Sequence, residues 1–356
     1  MKKNVLKISF LSFGSFISIA LLIAIITLNI IKVDKVIIKP GTSENVNEKI
    51  SIKGIKTYKP DGEIQFLTVY VSTKKPSYIE YLKAKYIDKD VEIFSWKEIN
   101  GDQTSKQNEE LNIALMNASQ NIAKVVALNK LGCTVTQNGD GAYVSVVQKK
   151  SPASKVLVAG DVITKIDTNE VKIESDVSKY ISSKKPGDEA LVTYISVKDK
   201  KTKTVKFILA KSPYQKNTGF LGVGVVTKNQ SFDFPVKINI ELGDVSGPSA
   251  GLAFTLSILD QMTKGSLTGD QKIAATGEMY TDGVVEKVGG VKEKTVAARK
   301  AGAKIFLVPK GEASKTKNKS GDMKVFEVST IDEALSILEK NGGDPISHMQ
   351  RCPVTD

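Results

Sequence analysis

Histidine occurs once in the 356 residues and cysteine twice, while only two of the 51 basic residues, Arg299 and Arg351, are arginine. Each scarcity excludes something. Two cysteines, Cys133 and Cys352, are too few for a disulfide framework or a zinc ribbon, and no metal or cofactor is expected. Specific nucleic-acid readout leans on the planar arginine fork, and the lysines here are interleaved with Asp and Glu. The net charge of +12 therefore describes a solvated surface near anionic material, with no nucleic-acid partner expected. No G-x-x-x-x-G-K-[S/T] loop occurs, so this chain holds no ATP-driven motor. An apolar share of 41% excludes a disordered tail and a polytopic membrane protein. The length suits two to three domains of roughly 150 residues each, each able to bury a core without a covalent staple.

One long apolar run is present. The 24 positions from Ile8 to Ile31 carry no charge, and about 20 residues of helix span a hydrocarbon core. Lys2, Lys3 and Lys7 precede the run, and no small-residue cleavage site follows it at Thr27–Ile31. The expectation is a short cytoplasmic tail (1–7) and an uncleaved transmembrane signal anchor (8–31). Lysines balance almost evenly across the span. The short tail before a long domain favours a single-pass cell-membrane protein with its bulk outside the cytoplasm.

Residues 33–130 read as a membrane-proximal α/β segment. Ile64–Val71 is β-branched and strand-like, and Asn108–Leu131 carries Leu111, Ala114, Leu115, Ser119, Ile122, Val125 and Val126 at helical spacing. No catalytic constellation is visible there, and a spacer or docking role is expected. From about Leu131 the character changes to short strands and Gly-bearing turns. The run Ser151-Pro-Ala-Ser-Lys-Val-Leu-Val-Ala-Gly-Asp-Val-Ile-Thr-Lys-Ile-Asp167 resembles a PDZ domain of the bacterial protease type, placed at 131–212. Such a module implies strand addition by a peptide whose C-terminal carboxylate is held by backbone N–H groups. By that resemblance the carboxylate loop maps to Leu131, Gly132, Cys133 and Thr134, with Val135 on the pairing strand. Cys133 itself reads as a small apolar filler.

The chemistry concentrates further on. Gly247-Pro-Ser-Ala-Gly251 precedes a helix with Leu252, Leu256 and Leu259 on one face. Ser249 would then sit in the first helical turn, where free N–H groups and the positive dipole end favour an oxyanion. A serine needs a base. The single histidine, His348, lies in a polar tail, which turns attention to lysine. A lysine works near neutrality only when desolvated or placed beside another cation. In Val288-Gly-Gly-Val-Lys-Glu-Lys294, Lys292 opens a helix and shares a face with Val288, Thr295, Val296 and Arg299, whereas Lys294 is expected on the solvated side.

Gly247–Gly251, Thr276-Gly-Glu278, Val288–Lys294 and Ala301–Pro309 together resemble the proteolytic domain of Lon-type (S16) serine proteases, over 214–343. That resemblance implies Ser249 as nucleophile, Lys292 as general base, and Thr276 as the hydroxyl orienting the lysine. Amides around Gly247 and Ser249 would hold the oxyanion. An Asp stands three residues before the nucleophile in many Lon proteases; here that place is Ser246. With the anchor and PDZ-like module, the chain resembles the Lon-like, PDZ-containing membrane proteases of Gram-positive bacteria.

The expected fold class is a multidomain α+β chain ending in a flexible tail (344–356). The expected function is ATP-independent cleavage of unfolded or membrane-tethered exported proteins, with peptide C-termini at the PDZ-like domain and a homo-oligomer, hexameric by resemblance. Two alternatives stay open: a non-enzymatic adaptor that binds exported C-termini, and an α/β-hydrolase-type esterase using Ser249 with His348.

Overall fold

A computed structural model of the chain describes residues 18–101, 103–243, 245–345 and 352. The chain divides into two units: Met1–Cys133 with Val236–Asp356, and Thr134–Pro235. The second is an insertion in the first, so the segment 33–130 is no separate spacer. It belongs to the same compact unit as residues 236–356.

Residues 18–30 form a helix whose apolar side chains, Ile19 through Ile30, face outward. Residues 1–17, which include the start of the anticipated anchor, lie outside the described residues, and among those described no helix is long and apolar enough to cross a membrane. Strands β1 (Lys35–Asn45), β2 (Ile50–Lys53) and β3 (Glu63–Val71) follow, then helix α1 (Tyr78–Tyr86) and β4 (Glu92–Ser95). The long helix α2 (Ser105–Lys130) starts in a reciprocal cap between Thr104 and Gln107, which satisfies two otherwise orphaned donors. It buries Met116, Ser119, Ala123 and Val126 at helical spacing.

The inserted unit is built on a main sheet with a helix. Its elements are β5 (Thr136–Asn138), β6 (Ala142–Val147), β7 (Val162–Ile166), α3 (Glu174–Ser182), β8 (Glu189–Ile195), β9 (Thr202–Ile208), β10 (Val223–Thr227) and β11 (Ser231–Asp233). The main sheet runs β9-β8-β7-β6-β10, while β5 and β11 form a separate ribbon. Val144, Ile163, Ile166, Val177, Val192 and Phe207 make the core. The buried Asp161 carboxylate accepts the N–H groups of Val158 and Val197, each at 2.9 Å, and so pins the Ala159–Asp161 turn. The strand over Phe220–Val226 was expected in the proteolytic domain, but β10 pairs with β6 and belongs here.

Back in the first unit come β12 (Lys237–Ile240), α4 (Gly251–Met262), β13 (Lys272–Ala275), β14 (Glu278–Met279), β15 (Val285–Glu286), α5 (Val291–Lys300), β16 (Ile305–Pro309), β17 (Lys324–Val328) and α6 (Ile331–Lys340). The main sheet is β17-β16-β13-β3-β1-β4, with β13 parallel to both β3 and β16. Thus β3, from before the insertion, completes a sheet with strands from after it. Ile64 and Phe66 of β3 are fully buried, each side chain worth about 1.5–3 kcal/mol of transfer free energy. Phe66 meets Phe254 of α4 at 6.3 Å between ring centroids. Helix α4 has no solvated face: every residue from Gly251 to Met262 is buried.

Cys133 is no apolar filler. It forms a disulfide with Cys352, 219 residues away in sequence, and the Cys352 N–H donates to Leu131 C=O at 2.9 Å. A pair so far apart in sequence meets only through the tertiary fold. Part of the anticipated tail is therefore held at the end of α2. Asp344 is likewise tied down, exchanging hydrogen bonds with Ser266. Residues 346–351, including His348, and 353–356 lie outside the described residues.

Candidate active site

Ser249 stands in the turn just ahead of α4, not inside its first turn, because the helix begins at Gly251 with Ala250 as N-cap. Two partners hold the Ser249 carbonyl: the Gly277 N–H at 2.9 Å and the Thr276 hydroxyl at 3.1 Å. The Pro248 carbonyl accepts the Ser119 hydroxyl of α2 at 2.9 Å and the Gly251 N–H at 3.3 Å. The Gly247 N–H donates to Asn112 C=O at 3.0 Å. Gly247 therefore shapes the turn, and its amide is not open to an oxyanion. The N–H groups of Ser249 and Ala250 donate to no acceptor among the described residues.

The lysine that reaches Ser249 is Lys294. Its Nζ lies 2.7 Å from Ser249 Oγ and donates to Thr276 Oγ1 at 3.1 Å. Lys294 is 2% exposed, and Thr276 is fully buried. Burial lowers the Lys294 ammonium from an ordinary 10.5 to about 7, since a low-dielectric setting penalises the charged form. It takes part in no ion pair among the described residues. Lys292, the anticipated base, instead lies beside Glu92 of β4 at 3.5 Å, with about a third of its side chain in solvent.

Packing explains the exchange. Helix α5 lies against β1, β3 and β16 and buries residues 293–298, leaving Lys292 on the strip that runs to the exposed Arg299. Gly290, at the N-cap with φ of 68°, lets α5 come close to β3: a Cβ there would stand 2.7 Å from Val69 Cγ1. The overlooked signal was local. Lys294 has Val291 three residues before it and Ala297 and Ala298 three and four after, all apolar, so its own stripe faces the core.

The inserted unit also corrects an expectation. Leu131 caps α2, and its N–H together with those of Gly132 and Cys133 donates to carbonyls of the last helical turn. Those amides are unavailable to a peptide carboxylate. Thr134 and Val135 precede β5 and belong to no strand. β10 is one of the two edge strands of its sheet, the other being β9, and α3 packs beside β10. Gly219-Phe-Leu-Gly222 leads into β10, and this Gly/aromatic run was the available signal. The Leu221 carbonyl accepts from Ala153, which turns the Gly222 N–H of the same trans peptide the opposite way. Gly222 has φ of 85°, and a Cβ there would sit 2.0 Å from Ser151 Cβ.

Residues 226–340 match the model of the Lon protease (S16) C-terminal proteolytic domain, and residues 129–209 match that of the PDZ domain. The chain thus combines a Lon-type (S16) proteolytic domain with a PDZ domain. In this it resembles the Lon-type (S16) serine proteases, whose proteolytic domain it carries. It is similar to the Lon protease of Rickettsia bellii, 36% identical over 109 residues, which cover 29% of this chain and 14% of that protein. The Lon protease of Xanthomonas oryzae is 38% identical over 95 residues, covering 26% and 11%. The chain therefore spans only a small part of the length of these curated relatives. Among solved structures, the PDZ domain of the SdrC-like protein from Listeria monocytogenes is 36% identical, covering 24% of this chain and 88% of that one, with a TM-score of 0.23.

Proposed function

We propose that the protein is an ATP-independent, membrane-anchored serine endopeptidase working through a Ser249–Lys294 dyad. The observation that carries this reading is a lysine 2% exposed, 2.7 Å from the serine hydroxyl, with a pKa near 7. Neutral Lys294 takes the Ser249 proton as Oγ attacks the peptide carbonyl. Thr276 receives an N–H of the amine and so directs its lone pair toward Ser249. The Ser249 and Ala250 N–H groups receive the oxyanion. The resulting ammonium protonates the leaving amine, and water then hydrolyses the acyl-enzyme with Lys294 again as base.

The absence of a phosphate-binding loop supports ATP independence and a preference for unfolded or loosely folded substrates. The edge of β10 with the Gly219–Gly222 loop supports capture of peptide C-termini by strand addition. The outward-facing apolar helix at 18–30 and the charge-free run leading into it support a membrane anchor. The Cys133–Cys352 disulfide supports a catalytic unit outside the cytoplasm, where such bonds persist.

The test uses the full chain in detergent with an unfolded casein-type substrate from pH 6 to 10. Ser249→Ala and Lys294→Ala are expected to abolish cleavage, and Lys292→Ala to leave it within a few-fold of wild type. A Ser249→Ala protein that still cleaves at the wild-type rate sinks the proposal.

A further inference from the structure

A trans peptide plane carries its C=O and its N–H on opposite sides. The donor that holds one peptide's carbonyl therefore also aims that peptide's N–H. On this ground we infer that Ser119, on α2, is a positioning residue that sets the oxyanion-binding amide of Ser249.

This role rests on the proposed dyad and extends it to the segment before the insertion. Ser119 is 2% exposed, and its hydroxyl donates to Pro248 C=O at 2.9 Å. The Pro248–Ser249 peptide is trans, so the Ser249 N–H is turned away from α2 and finds no acceptor among the described residues. The following plane is held in the same manner: Gly277 N–H and Thr276 Oγ1 hold the Ser249 carbonyl, and the Ala250 N–H finds no acceptor among the described residues. Two consecutive amides around the nucleophile are thus oriented through their carbonyls. Backbone donors take part in both planes; the Gly251 N–H helps Ser119 at a longer 3.3 Å. Ser119 is the side-chain donor to the first plane, and α2 contributes a second tie at the adjacent residue through Asn112 C=O and Gly247 N–H. Helix α2 lies wholly before the region that matches the proteolytic domain model, 226–340.

Such a role separates cleanly from that of the base. Ser119 does not touch substrate, so its loss should leave ground-state binding alone and weaken only the state that carries an oxyanion. Removing an oxyanion donor outright costs about 10²–10³ in kcat. Loosening one that stays covalently present should cost less, about 10–100-fold in kcat, with KM within about two-fold.

The experiment compares full-chain wild type with Ser119→Ala and with Thr263→Ala, which loses an equally buried hydroxyl at the far end of α4, where it donates to Leu259 C=O. Three quantities are read: kcat and KM on a peptide substrate, the midpoint of the pH–kcat profile, and affinity for a peptide boronate that forms a tetrahedral adduct on Ser249. Ser119→Ala is expected to lose kcat and boronate affinity by the same factor, with an unmoved pH midpoint, while Thr263→Ala loses neither. Ser119→Thr, which keeps a hydroxyl donor, should show only part of the loss. Unchanged kcat and boronate affinity in Ser119→Ala overturns the inference. So does a shifted pH midpoint, which would put the effect on the lysine, or an equal loss in Thr263→Ala, which would make it one of general stability. If Ser249→Ala remained active, the dyad reading would fail first. With Ser249→Ala dead and Ser119→Ala normal, only this inference fails.

Discussion

Replacing Lys294 by methionine isolates the electrostatic cost of placing an amine in the core. The ammonium falls from 10.5 to about 7 on folding because of burial. One pKa unit corresponds to about 1.4 kcal/mol, so the protonated form is disfavoured in the folded state by roughly 4–5 kcal/mol. The lowered value means that between about pH 7 and 10.5 the unfolded chain binds a proton that the folded chain lacks. Stability therefore rises with pH across that window, and the penalty is fully present below it. Methionine fills a similar volume without charge. It gives up two hydrogen bonds, to Ser249 and Thr276, each worth about 1 kcal/mol. At pH 6 the variant should be more stable than wild type by roughly 2–3 kcal/mol, and near pH 10.5 less stable by about 2 kcal/mol. The assay is urea unfolding of wild type, Lys294→Met and Lys292→Met at pH intervals from 6 to 10. A Lys294→Met difference that does not change with pH, or the same pH slope appearing for Lys292→Met, would refute the assignment of the buried amine.

Other outcomes follow from the same geometry. The wild-type pH–kcat profile should rise with a midpoint near 7, as Lys294 loses its proton, and a limb centred above pH 9 would argue against a desolvated base. Thr276→Val should lower kcat by about 10–100-fold with little change in KM, because Lys294 loses its fixed acceptor; steady-state kinetics reads the split. Reduction of Cys133–Cys352 opens a loop of 219 residues in sequence separation, for which chain entropy sets a ceiling of about 5 kcal/mol. Thermal melts with and without reductant should differ by several degrees, and coincident curves would show that the bond constrains nothing. Gly222→Val combines a disallowed φ with a clash against Ser151 and should abolish binding of a peptide C-terminus while sparing cleavage of a short substrate; fluorescence anisotropy with a labelled peptide checks it.

Much of the molecule was legible along the chain, because secondary structure follows local pattern. The strand over Ile64–Val71 and the helix beginning near Lys292 both formed within a residue or two of expectation. Ser249 was marked by Gly-Pro-Ser-Ala-Gly ahead of an apolar helix, and Thr276 by the motif that follows. These are local signals, carried by residues within one or two turns of each other.

What the linear pattern left undecided depended on which surfaces meet. Two lysines two residues apart point about 200° apart around a helix, and only the sheet under α5 determines which of the two is desolvated. Segment 33–130 looked independent because its contacts with the Ser249 turn are made by α2 through Ser119 and the Asn112 carbonyl, groups with no sequence signature of their own. Its strand β3 pairs on one side with the nearby β1 but on the other with β13, some 200 residues away on the far side of the insertion. The disulfide depends on the same long-range closure. Reactive residue types and element boundaries were local properties of this chain; the pKa of the lysine and the direction of the amides were set by neighbours that folding alone brings together, because desolvation and peptide-plane orientation are properties of a packed environment.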